Sequence, residues 1–219
     1  MKCVCKPCHR RSWVFGYALI FKRIKIDLKI NATYSNNELT HTLNNSPVVI
    51  GGTSGFTQIA SSSPTANNIA VVGMPAFSFQ LTDYLRDSLG RVIVDKVTGN
   101  PSQATDMVVK GRTLPTWILG ITPTYTLGNF SFSMTWDYKG GHNFYAGLGS
   151  DADFAGISAR SAEYGRKRFV FPNSVYLEGG KYIANTNIQI QDGNAGFWTG
   201  AKVNTAIATN YFASAAAWR

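Results

Sequence analysis

From Phe130 to Tyr138 the chain reads Phe-Ser-Phe-Ser-Met-Thr-Trp-Asp-Tyr, with an apolar or aromatic side chain at every even position and a polar one at every odd position. Successive side chains on a strand project to opposite sides. A strand here therefore puts Phe130, Phe132, Met134, Trp136 and Tyr138 on one surface and Ser131, Ser133, Thr135 and Asp137 on the other. A helix would mix the two sets. The same parity governs all eleven positions from Ile24 to Tyr34, where Ile24, Ile26, Leu28, Ile30, Ala32 and Tyr34 alternate with polar residues that include Asp27 and Asn31. It also governs Trp117 to Leu127, with Ile118 as the exception. Runs of about nine to eleven residues match a tilted strand that crosses the hydrocarbon layer of a bilayer.

Two environments suit such strands. In a soluble antiparallel sandwich one face packs on a core and the other meets water. In a transmembrane barrel the apolar face meets lipid, the polar face lines a wet interior, and Trp and Tyr gather at the interfacial ends. Gly128-Asn129 is a favoured two-residue hairpin turn, and a hairpin there is expected to bring Trp117, Trp136 and Tyr138 to one rim. A one-residue slip would push Asp137 and three hydroxyls onto the apolar side, so register is strongly specified.

At 219 residues one domain is the expectation, with length enough for a substantial core. Charged residues make up 15% and aromatics 13%, with abundant Gly, a profile of sheet and polar loops more than of helix. No apolar run reaches the roughly 18–20 residues of a spanning helix; the longest, Trp13 to Phe21, is interrupted by Gly16. A barrel stays open, because alternation averages hydropathy to near zero and the mean hydropathy is −0.08. The net charge of +9 is spread thinly apart from Arg160, Arg166, Lys167 and Arg168. No nucleic-acid motif accompanies that cluster, so no nucleic-acid partner is expected; a solvated loop, or one facing anionic headgroups, is the reading.

Residues 1–23 hold all three cysteines and read as a leader without a structural counterpart, followed by a body at 24–219. Strands are expected near 24–34, 117–127 and 130–138, with long loops over 36–114 and 139–219. Within the first loop, Tyr84 to Asp95 predicts a hairpin turning at Asp87-Ser88-Leu89-Gly90. Short turns at one end and long loops at the other is the asymmetry of outer-membrane barrels.

The segment from Pro115 to Gly141, containing Pro-Thr-Trp-Ile-Leu-Gly, Asn-Phe-Ser-Phe-Ser and Asp-Tyr-Lys-Gly-Gly, resembles a hairpin of the SusC/RagA-type TonB-dependent outer-membrane transporters. Leu28 to Leu39, Tyr84 to Pro101 and Arg168 to Asn187 resemble other pieces of that family in the same order. The resemblance implies an all-β fold: a partial transmembrane antiparallel β-barrel of about three spanning strands with long extracellular loops, in the cell outer membrane. The family has many more strands, a plug and a TonB box, none of which can be placed here, so the chain looks like a fragment of a longer transporter. The implied function is active uptake of oligosaccharides or peptides. The implied partners are the TonB complex, a SusD-like surface lipoprotein, the glycan or peptide substrate and outer-membrane lipid. Candidate ligand contacts are Asp27, Asn31 and Asp137 on the lumen face, and His142, Asn143 and Tyr145 in the second loop. A secreted β-sandwich binding or adhesion module is the alternative.

Other chemistry finds little footing in the residues. Cys5-Lys6-Pro7-Cys8-His9 has the C-x-x-C-H form, yet no second Cys pair completes a zinc site. Asp151 to Gly156 starts like a calcium loop, but alanines stand where later oxygen ligands belong. Gly147 to Ala152 has the glycine spacing of a dinucleotide turn, without an evident strand and helix around it. His9, His41 and His142 sit beside no nucleophile, so neither an enzyme nor a cofactor is expected.

Overall fold

A computed structural model describes residues 4–5, 9–21, 24–52, 65–191, 193–198 and 204–219. The largest element is an open six-stranded antiparallel sheet. Its strands are β1 (His9–Phe21), β2 (Ile24–Asn36), β3 (Trp117–Leu127), β4 (Phe130–Ser133), β5 (Trp136–Gly140) and β6 (Ala217–Trp218). The spatial order is β6-β5-β3-β2-β1, with β4 also on β3. Leu127 faces Phe130 across the Gly128-Asn129 turn, and Gly128 has the positive φ of 58° that a type II′ hairpin needs at its first central residue.

Register sorts the alternating side chains onto two faces, with Val14, Ile20 and Ile118 as the exceptions on the polar one. Phe15, Ile30, Ile121 and Trp136 are opposite one another across four strands, as are Leu19, Ile26, Tyr125 and Phe132. The apolar parity of every strand therefore falls on one face. That face is uncovered among the described residues: Phe15 is 60% exposed and Phe130 82%. None of its residues belongs to the buried clusters of the chain. The sandwich alternative needs a second layer over this face, and the described residues supply none.

Four expectations are corrected. Residues 9–21, read as leader, form a thirteen-residue strand paired along its whole length with β2. Alternation was blurred there because Val14 and Ile20 lie on the otherwise polar face. The run at 130–138 is two strands broken at Met134 and Thr135. The Met134 amide donates to the Pro123 carbonyl at 3.3 Å, and Pro123 has no N–H to complete the reciprocal bond, so the ladder lapses there. With β1 and the paired start of β6, the sheet also has more strands than the three expected.

Finally, the presumed loops form a folded body. A four-stranded sheet joins Val48–Gly52, Ala66–Ala70, Ser78–Leu81 and Val108–Lys110. A second sheet pairs Lys181–Ala184 with Ser174–Glu178, and the latter runs parallel to Val92–Ile93. Helices α1 (Gly147–Phe154) and α2 (Gly193–Trp198) complete it. Three apolar clusters lie inside, around Leu81, around Tyr84 and Ile207, and around Phe197. This body adjoins the Trp117 end of the sheet, where Thr116 donates to the Gly140 carbonyl and Asn143 to that of Arg112. The Gly128 turn marks the other end. The expected turn at 87–90 is present, with Gly90 donating to the Asp87 carbonyl and Leu89 and Arg91 amides donating to the Asp87 carboxylate.

Candidate functional site

The polar face of the sheet carries a column of paired hydroxyls. Thr122 meets Thr135 at 3.2 Å, Thr124 meets Ser133 at 3.0 Å, and Thr126 meets Ser131 at 3.5 Å. Asn31 and Asp137 both stand opposite Gly120, so two of the expected lumen residues share one row. Gly120 makes room: a Cβ there would collide with the Asn31 side chain. Asp27 lies four residues from Asn31 along β2, about 13 Å away, and is paired with Lys25 at 3.0 Å.

On the apolar face, aromatic rings collect at the end nearest the folded body. Trp13, Ala32, Leu119, Tyr138 and Trp218 form one row across five strands. The adjacent row holds Tyr34 and Trp117, whose rings lie 4.8 Å apart, and Tyr138 packs on Trp218 at 5.0 Å. Trp136, expected at the same rim as Trp117, is instead opposite Ile121, four residues further along the ladder. The hairpin places Trp117 and Tyr138 together, and the break at Met134 leaves Trp136 closer to the middle.

His142, Asn143 and Tyr145 are not among the residues that line the cleft described below. Asn143 to Tyr145 is a short strand paired with Phe212–Ser214. Tyr145 packs against the cluster of Phe79 and Leu81, and burial pushes its hydroxyl up to about 12. Gly147 and Gly149, whose spacing suggested a phosphate turn, do follow a strand and begin a helix. Their missing side chains accommodate the rings of Tyr145 and Tyr211. Asp153, within the calcium-like segment, accepts from Arg160 at 3.2 Å and from the Tyr211 hydroxyl at 2.8 Å and is buried. The C-x-x-C-H stretch lies mostly outside the described residues.

A cleft of about 370 Å³ lies elsewhere among the described residues, within the folded body. Its lining includes Arg86, Arg160, Glu163, Tyr164, Trp198 and Asn210. Beneath it, Tyr84 donates to the Asn204 side chain at 3.0 Å and accepts from Asn210 at 2.9 Å. Burial drives the Tyr84 hydroxyl well above its ordinary range, and burial with the Asp153 carboxylate does the same to Tyr211. Burial alone would raise the Asp83 carboxyl, but hydrogen bonds from Arg86, Thr209 and the Tyr84 amide outweigh it and hold Asp83 below the usual carboxylate value.

At the lip of the cleft, Tyr164, Gly165 and Arg166 are consecutively left-handed, with φ of 53°, 61° and 60°. Such a conformation costs a non-glycine residue roughly 1–2 kcal/mol. It lays the Tyr164 ring on Phe169 at 4.6 Å and nearly parallel, 14° between planes. The sequence signal for this site was the basic cluster at 160–168, read there as a solvated loop. No protein-family model and no curated protein matches this chain.

Proposed function

We propose that the six-stranded sheet is part of the wall of an outer-membrane β-barrel, and that the protein acts in TonB-dependent uptake of an oligosaccharide or peptide. The supporting observation is the uncovered apolar face, continuous over all six strands and edged at the body end by Trp13, Tyr34, Trp117, Tyr138 and Trp218. Water is a poor environment for so large an apolar surface, whereas lipid accepts it. The hydroxyl column and the Lys25–Asp27 pair then face a wet interior. Open strand edges leave unpaired backbone groups that cost several kcal/mol each in lipid, so further strands complete the barrel. The transport class, the TonB complex and a SusD-like lipoprotein come from the resemblance of residues 115–141 and its companion segments. In this reading the folded body is extracellular.

Tryptophan quenching tests it. Four of the five tryptophans, Trp13, Trp117, Trp136 and Trp218, lie on the apolar face, and Trp198 is buried in the body. In vesicles of phosphatidylcholine brominated on its acyl chains, most of the emission should be quenched, leaving a component from Trp198. Emission of the vesicle-bound chain left unquenched by the bromolipid would overturn the membrane reading.

A further inference from the structure

We propose that the cleft lined by Arg86, Arg160, Glu163, Tyr164, Trp198 and Asn210 binds an acidic saccharide, a sugar ring bearing a carboxylate or sulfate. Three features converge on that class. The first is the platform of Tyr164, 55% exposed and backed by Phe169. Aromatic faces of this kind bind the C–H side of a sugar ring, and the left-handed backbone at Tyr164 holds the ring at the lip.

The second is a pair of guanidinium groups already fixed in place. Arg86 is held by the Asp83 carboxylate at 3.2–3.3 Å and by the Gly90 carbonyl at 3.0 Å. Arg160 is held by Asp153 and the Asn210 carbonyl and lies over the Trp198 ring at 4.7 Å. Immobilised side chains lose little freedom on binding, and a guanidinium recognises planar or tetrahedral oxyanions better than a lysine does. The Asn210 side-chain N–H groups already serve the Tyr84 hydroxyl and the Asn204 carbonyl, so its amide oxygen is the group it brings to ring hydroxyls.

The third is the exposed run Arg166-Lys167-Arg168, which follows the platform closely in the chain and adds positive charge next to it in sequence. The volume of about 370 Å³ is near the lower end of the roughly 300–1,000 Å³ of small-ligand sites and suits one or two rings more than an extended chain. The site is built wholly from the folded body, so the inference does not depend on which medium the sheet faces.

Titration calorimetry of the full chain in detergent, with trigalacturonate, maltotriose and triglutamate as probes, tests the assignment. Trigalacturonate should bind about tenfold or more tighter than either of the others, and added salt should weaken it. Tyr164→Ala should weaken trigalacturonate by about tenfold, and the triple change Arg166→Ala, Lys167→Ala, Arg168→Ala should flatten the salt dependence. All four side chains are exposed, so the far-UV dichroism should be unchanged. Equal binding of triglutamate would reduce the site to a plain anion patch and overturn the proposal. So would equal binding of maltotriose, absence of binding by trigalacturonate, or indifference to Tyr164→Ala. Failure of the bromolipid experiment leaves all of these readings intact.

Discussion

The Thr82 hydroxyl donates to the Ala206 carbonyl at 2.7 Å and accepts the Ala208 amide at 2.9 Å, in full burial and across more than 120 positions of chain. Thr209 completes the clasp by donating its amide to the Thr82 carbonyl at 3.1 Å and its hydroxyl to Asp83 at 2.8 Å. These bonds join the segments on either side of the β3 hairpin into one body. Thr82→Val keeps the shape and strands two buried backbone groups, which should cost roughly 2–4 kcal/mol. Urea unfolding followed by near-UV dichroism measures this, and Thr82→Ser should recover most of the loss.

A charge placed on each face of the sheet should have opposite consequences. Ile30 lies mid-strand on the apolar face, while Thr124 is opposite Asp27 on the polar one. With the apolar face in lipid as proposed, Ile30→Lys should destabilise the sheet by about 2–4 kcal/mol, and Thr124→Lys should be nearly neutral. Urea midpoints in phospholipid vesicles read the difference. Equal tolerance of both changes would count against a lipid-facing surface.

The buried Asp153 carboxylate serves Arg160 and Tyr211 together. Asp153→Ala leaves a guanidinium and a buried phenol without that partner, and a loss of about 3 kcal/mol is expected. The same variant should loosen Arg160 and weaken trigalacturonate binding without abolishing folding at low temperature.

Alkaline stability should depend on Tyr145. Its folded value of about 12 lies above the ordinary 10, so the folded state keeps the proton longer than the unfolded one. Its contribution is complete below pH 10 and is lost as pH rises through about 12. Tyr145→Phe should shift the alkaline unfolding midpoint upward in a pH melt followed by dichroism. Absorbance titration should show at least three of the ten tyrosines ionising late, since Tyr84 and Tyr211 are raised as well.

How far local pattern reaches is visible strand by strand. Alternation placed β2 and β3 within two residues of their observed bounds, because with period two a sheet with one apolar face permits a single register. The Gly128 turn and the Asp87–Gly90 turn were legible for a similar reason, since each rests on a glycine that supplies a positive φ. Strand β1 was missed because Val14 and Ile20 put apolar groups on both faces and erased the parity.

The sequence by itself therefore determined the all-β character, the two-faced sheet and its hairpin. The cleft was decided only by the tertiary structure. Its walls come from Arg86, Arg160, Tyr164, Trp198 and Asn210, which no short-range period connects. They meet because Thr82, Tyr84 and Asp83 bond to residues near 204–210, and such pairings depend on burial and hydrogen-bond geometry across distant segments. Periodicity reports which way a side chain points along one element, and it carries no record of which element will lie beside it.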